Sequence, residues 1–163
     1  EVRLQDYREI TGEYTQIVSI EMFEALGGEY WKKYFKILHS ILKPGGKMII
    51  QTITINNNDF SSYRRCSDFI QQYIFPGGLL PSPDIFRSTA VKQGFRYVGD
   101  FEFGLDYGLT LKRWEENFTR VLDKIKDLGF DEKFIRTWKF YLKYCQGGFE
   151  AKKISVSQFN FTK

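Results

Sequence analysis

The sequence predicts an α/β fold built on a parallel sheet, from three observations that follow one another along the chain. Gln16-Ile17-Val18-Ser19-Ile20 is a short, nearly continuous apolar run, the pattern of a strand covered on both faces. From Trp31 the period changes. Trp31, Tyr34, Phe35, Leu38, Ile41 and Leu42 recur at helical spacing, with Lys32, Lys33 and Lys36 on the opposite side. Met48-Ile49-Ile50-Gln51-Thr52-Ile53 then forms a second buried run. Strand, helix and strand in this order make a parallel crossover unit.

The remaining elements follow in order. Val2 and Leu4 alternate with polar residues like the tail of a strand. Pro44-Gly45-Gly46 is expected to stop the first helix, because proline resists continuation and glycine accepts a left-handed cap. Asn56-Asn57-Asn58-Asp59 reads as a polar loop, and Cys66, Phe69, Ile70, Tyr73 and Ile74 share a helical face that ends at Pro76-Gly77-Gly78. Pro83 opens a short helix that closes near Gly94, and Phe95, Tyr97, Phe101 and Phe103 alternate in a strand. Leu111, Trp114, Phe118, Val121, Leu122 and Ile125 form the stripe of a long helix ended by Gly129. Phe134, Trp138, Tyr141, Leu142 and Cys145 form another. Ile154 to Phe161 is a last strand whose apolar phase slips between Gln158 and Phe159, as at a bulge.

At 163 residues the chain is one domain's worth, without internal repeat or linker. Sixteen Phe, ten Tyr and three Trp, 18% of the chain, suit either an aromatic-rich core or a pocket for a flat or greasy ligand. The net charge of +4 is compatible with an anionic membrane surface or with nucleic acid and is diagnostic of neither. Lys and Arg are spread rather than clustered, so a nucleic-acid partner is not expected. Two cysteines, Cys66 and Cys145, are too few and too far apart for a disulfide framework, which points to a reducing compartment. Both are expected on apolar helix faces as inert thiols. The single histidine, His39, excludes a catalytic triad or a His-rich metal site. The paired glycines stand in turns rather than in a G-x-G-x-x-G phosphate loop, so no nucleotide loop and no metal site are expected.

In an open parallel sheet ligands bind beyond the carboxyl ends of the strands. Glu21 and Glu24 follow the first strand there, and Gln51 interrupts the second apolar run. A buried amide must be hydrogen-bonded. Glu24 and Gln51 therefore either converge on one spot, or Glu24 caps the next helix while Gln51 satisfies a loop backbone; spacing leaves both open.

Several longer segments carry a resemblance: DYRE (6–9), VSIEMFEALGGEYWKKYF (18–35), LKPGG (42–46), QTI (51–53), YIFPGGLLPS (73–82), FGLDYGLTLKRW (103–114) and RTWKFYLKYCQGGF (136–149). In this order they resemble the cyclopropane-fatty-acid synthase family, whose members include the mycolic acid cyclopropane synthases. LKPGG is generic to class I methyltransferases, whereas YIFPGG with DY-x-x-TL is specific.

The resemblance implies the carboxyl-terminal part of a Rossmann-like class I methyltransferase sheet with helical insertions. It implies S-adenosylmethionine as cofactor, methyl or methylene transfer to the double bond of unsaturated phospholipid acyl chains, and a bound bicarbonate as base. Residues 1–163 then form the later part of one methyltransferase domain, and the main cofactor site lies in a front half without counterpart here. The chain opens on Glu1-Val2-Arg3 without a Met or a signal pattern, in keeping with that expectation. Motif matching makes Glu24, Gln51 and Tyr107 the catalytic candidates, with Glu24, Gln51, Ile53 and Tyr107 around the bicarbonate. Asp6 and Tyr7 correspond to a loop near the cofactor's adenine, and Tyr73, Phe75 and Phe103 to an acyl channel able to stabilise a cation. Ala25 and Gln51 stand where the family usually has histidine. The combination E-A-x-G with Q-x-I-T is similar to a subgroup of fatty-acid methyltransferases and puts the ring-forming outcome in question. The family's setting implies a cytoplasmic protein peripheral to the inner face of the membrane. An unpaired sheet edge is expected to invite self-association. The competing expectation is a truncated, catalytically silent remnant or interaction fragment.

Overall fold

The computed structural model describes residues 1–163. Four strands form one sheet: β1 (Tyr14–Ile20), β2 (Leu42–Ile55), β3 (Arg96–Glu102) and β4 (Ile154–Thr162), in the order β1-β2-β4-β3. β1 and β2 are parallel, and β4 runs antiparallel to both β2 and β3. The crossover from β1 to β2 is α1 (Trp31–Ile41), whose Trp31, Tyr34, Phe35, Leu38 and Ile41 are buried as their spacing predicts. Helix α4 (Pro83–Lys92) begins with Ser82 as cap and Pro83 in the first turn, and Gly94 follows it at φ 97°. Proline suits that first turn because it has no N–H to leave unpaired.

The sheet has two unlike faces. On one lies a core of sixteen buried residues, in which Met48 and Ile50 of β2 and Phe159 and Phe161 of β4 meet α1 and α4. Phe86 is its hub, with ring centroids 4.9 Å from Phe23, 5.3 Å from Phe35 and 4.5 Å from Phe159. On the other face α5 (Gly104–Arg120) and α7 (Glu132–Glu150) bury only Leu111, Leu142, Phe149 and Val156 together.

The two faces explain the slip of phase in the last strand. β4 pairs with β2 in unbroken register from Lys47↔Thr162 to Ile55↔Ile154, so it carries no bulge there. Val156 enters the small cluster, while Phe159 and Phe161, of opposite parity, enter the large one. The irregularity lies instead in β3, between Tyr97 and Gly99.

Other expectations are corrected. Val2 and Leu4 lie in irregular, fully exposed chain. Pro44-Gly45-Gly46 does not stop α1, which has already ended at Ile41. It loops out of the β2 edge, since Tyr14 pairs with Leu42 but Gln16 with Lys47. Asn56 is a helix cap rather than loop, its side chain accepting from the Asn58 N–H at the start of α2 (Asn57–Tyr63). Helix α3 covers only Phe69–Tyr73, and Cys66 lies exposed in the turn before it, so the shared helical face fails at that residue. Phe103 precedes α5 instead of ending β3. The long helix breaks at Val121, after which α6 (Leu122–Asp127) follows. Trp114 points outward and is half exposed, because α5 buries Gly104 and Gly108, residues invisible to an apolar count. A Cβ on Gly104 would stand 2.5 Å from the Ser155 Oγ, so this helix start needs glycine.

Candidate active site

β1 stops at Ile20, opposite Gln51, whereas β2 continues to Ile55. The bared edge of β2 is closed by groups from outside the ladder. The Glu21 N–H donates to the Gln51 carbonyl at 2.9 Å, the Ile53 N–H to Glu24 Oε1 at 2.5 Å, and the Ile55 N–H to the Pro81 carbonyl at 3.0 Å. Glu24 thus extends the ladder with a side chain. Its other oxygen, Oε2, is buried without a hydrogen-bond partner. Burial pushes the Glu24 carboxyl above its ordinary range, against the lowering effect of the Ile53 N–H.

The PGG turn is fitted to this corner. Gly77 takes φ 83°, and the Leu79 N–H donates to the Glu24 carbonyl at 3.0 Å. A Cβ on Gly78 would lie 3.1 Å from that carbonyl oxygen, tighter than most side chains tolerate.

Glu21 is held differently. Its backbone is left-handed, at φ 50°, a conformation that costs a non-glycine residue about 1–2 kcal/mol. Its side chain is exposed, yet both oxygens are engaged. Gln51 Nε2 donates to Oε1 at 2.7 Å and the Tyr107 hydroxyl to Oε2 at 2.7 Å. Gln158 Nε2 donates in turn to Gln51 Oε1 at 2.9 Å, so β1, β2, β4 and α5 all meet at one carboxylate. Burial, and then the bond to Glu21, raise the Tyr107 pKa and keep its hydroxyl a neutral donor. Tyr141 of α7 packs against the same small buried cluster as Tyr107, and burial, then the charges of Cys145 and Glu21, push its hydroxyl up to about 12.

The expected residues therefore divide. Glu24 and Ile53 are bonded to each other, and Gln51 and Tyr107 to Glu21. Gln51 does not serve a loop backbone. Asp6 and Tyr7 line a separate cleft of about 430 Å³ with Ala25, Tyr30 and Gly77. Asp6 is ion-paired to Arg8 at 2.6 Å, which lowers its carboxyl to about 2, and Tyr7 lies edge-on to Tyr34. Two tyrosine rings and an ion pair suit the rim of a flat heteroaromatic ligand. Phe75 meets Tyr141 at 6.4 Å, and Tyr73 joins Phe69, which touches Phe140 and Tyr144. Phe103 stacks on Phe101 at 5.6 Å instead, and no ring pair joins it to Tyr73 or Phe75.

A bicarbonate does not fit the cluster as it stands. Tyr107 has one hydroxyl proton, and it is given to Glu21. An anion there would meet two carboxylates, Glu21 and Glu24. The orphaned Glu24 Oε2 is an acceptor without a partner, and it is buried.

Gln158, Tyr141 and Glu21 were not among the nominated residues. Glu21 was reachable from its place just past a strand, and Tyr141 from its helical stripe. Gln158 required the β2–β4 register.

The sequence pattern of the mycolic acid cyclopropane synthetase family matches residues 1–159. The chain belongs to this family. It is 40% identical over its whole length to a tuberculostearic acid methyltransferase of Mycobacterium tuberculosis, covering 38% of that protein. It is 34% identical over 99% of its length to the cyclopropane-fatty-acyl-phospholipid synthase of Escherichia coli strain K12, covering 41%. The chain therefore spans about two fifths of these relatives. Among solved structures, the cyclopropane synthase MmaA2 of Mycobacterium tuberculosis superposes with a TM-score of 0.88 at 25% identity, over 99% of this chain and 59% of that one. A mycolic acid cyclopropane synthase complexed with SAH and CTAB gives 0.88 at 26% over the same shares. The family member's sheet is accordingly the carboxyl-terminal part of a Rossmann-like methyltransferase fold.

Proposed function

We propose that this chain is the acyl-facing part of an S-adenosylmethionine-dependent enzyme that alkylates the cis double bond of unsaturated phospholipid acyl chains. The observation that carries the reading is the polar cluster Glu21–Gln51–Tyr107 at the carboxyl ends of β1 and β2, with Tyr107 and Tyr141 packed against the same small buried cluster and Phe75 against Tyr141. An isolated alkene attacking a sulfonium methyl develops a cation, which aromatic faces stabilise by about 0.5–2 kcal/mol each. A nearby base must then take a proton.

Asp6 and Tyr7 would hold one edge of the cofactor, which supplies the methyl group. Phe75 and Tyr141 would flank the acyl chain and keep water from the cation. Exposed Tyr73, Phe75, Phe140 and Tyr144 lie together on one surface and, with the net charge of +4, support contact with an anionic membrane face. No helix is long and apolar enough to cross a membrane.

The product is a methyl- or methylene-branched chain in preference to a cyclopropane. Loss of a proton from the new methyl closes the ring, while loss from a neighbouring carbon gives an alkene. Gln51 is tied on both sides, to Glu21 and Gln158, and carries no charge with which to hold a base near the methyl. The tuberculostearic acid methyltransferase likeness points the same way. Expression of the full-length protein in a bacterium deprived of its own synthase, followed by fatty-acid profiling, tests this. Branched acyl chains one CH2 heavier are expected; cyclopropane as the sole product removes the preference, and unchanged lipids remove the function.

A further inference from the structure

We propose that Glu21 is the proton acceptor of this reaction, a carboxylate of the chain itself occupying the position between Tyr107 and Gln51 where an added anion would sit. The inference rests on the functional reading above and names the base at that site.

The donor inventory makes the case. A bound anion is recognised by hydrogen-bond donors aimed at it, and the free donors of this cluster are the Tyr107 hydroxyl and the Gln51 amide. Both are already aimed at Glu21, each at 2.7 Å. Gln51 is fixed in that orientation by Gln158, which occupies its carbonyl oxygen and so turns its NH2 toward Glu21. Two side chains thus hold the carboxylate directly, and a third, Gln158, fixes one of them.

The backbone points the same way. Position 21 has φ 50°, which glycine adopts freely and glutamate does not. Whatever favours glutamate there acts through its side chain. Glu24 is the poorer candidate, since one of its oxygens completes the β2 ladder and the other is buried. Glu21 is exposed, and each of its oxygens has one bond and a further lone pair available.

The step balances as follows. Transfer of the sulfonium methyl to one alkene carbon leaves the other carbon cationic. A C–H bond on a carbon beside the cation breaks, its electron pair becomes the π bond of the new alkene, and the proton goes to Glu21. The neutral acid then releases it to solvent. No oxidant, reductant or second anion enters.

The test uses the full-length enzyme with S-adenosylmethionine and vesicles of phosphatidylglycerol and phosphatidylethanolamine bearing cis-monounsaturated chains, in buffer with or without bicarbonate. Native enzyme that releases no S-adenosylhomocysteine would remove the underlying reading, whatever Glu21 does. Given an active native enzyme, removing bicarbonate is expected to leave its rate unchanged. Glu21→Gln is expected to lower kcat about 100–1,000-fold, with KM for lipid and cofactor affinity within about threefold. Glu21→Gly, which suits the backbone and keeps the fold, is expected to be as slow, and to recover tenfold or more on addition of acetate or bicarbonate. That recovery is a readout a structural role does not produce. The proposal is overturned if the native rate falls without bicarbonate, if Glu21→Gln keeps more than a tenth of the native kcat, or if Glu21→Gly runs at the native rate with no added anion.

Discussion

The two faces of the sheet contrast in depth and in purpose. The face under α1 and α4 closes over sixteen buried residues, nine of them aromatic, with no exposed group among them. The face under α5 and α7 closes over four, and the sheet beyond is open: Val18 and Ile20 of β1 are 65% and 63% exposed. The first face is where the chain derives its cohesion. The second spends its side chains on the Glu21 cluster and on an aromatic wall left facing outward. Aromatic surplus, ambiguous in composition, is used for both.

That contrast is broken most forcefully at Phe86. Truncation to Ala in the middle of the ring cluster should cost about 3–5 kcal/mol, the range for a buried aromatic whose neighbours cannot collapse. Urea unfolding reads it as a lower midpoint with an unchanged slope. Leu142→Ala, in the four-residue cluster, should cost less, about 2–3 kcal/mol, because fewer neighbours fix the cavity. Equal losses at the two sites would show that the small cluster is as tightly packed as the large one.

Gly104→Ala sharpens the comparison by overpacking instead. Its Cβ would meet the Ser155 Oγ at 2.5 Å and the Ser155 Cα at 3.0 Å, and α5 must shift away from β4 to admit it. About 1–3 kcal/mol is expected. Because Tyr107 lies one turn on, the Tyr107–Glu21 bond should lengthen too, and kcat of the full-length enzyme should fall more than stability alone explains. A loss of stability with kcat intact would uncouple the small cluster from the site.

The same asymmetry governed what the sequence disclosed. The large core was legible because α1 and α4 present clean helical stripes and caps: Trp31, Tyr34, Phe35 and Leu38 on one, and Ser82 and Pro83 at the start of the other. The small face was not. It rests on Gly104 and Gly108, which have no hydropathy to count, and on Val156, whose strand changes its apolar side midway. At the site, Gln51 stands out in the sequence as a break in an apolar run and Tyr107 comes only through a resemblance, and the structure joins them. What joins them, the carboxylate of Glu21, depends on β1 stopping four residues short of β2 and on a left-handed backbone, neither of which has a periodic signature.

The smallest expected effect separates the two carboxylates of the site. Glu24 is buried with Oε2 unpartnered, and burial raises its pKa above the ordinary 4.5. A carboxyl with a raised folded-state pKa favours the fold fully below its unfolded pKa, and that contribution is lost as pH rises through the folded value. Native protein should therefore lose stability from about pH 4.5 upward on this account, relative to a variant with no titrating group at position 24. Glu24→Gln keeps an oxygen for the Ile53 N–H and cannot ionise. It should match native protein near pH 4 and exceed it at pH 7 by about 0.5–1.5 kcal/mol, the scale of one hydrogen-bonded polar group. Thermal melts of the pair across pH 4 to 8 read the difference directly. A Glu24→Gln protein less stable than native at pH 7 would mean that the Glu24 charge is stabilised there, and its burial would no longer distinguish it from Glu21.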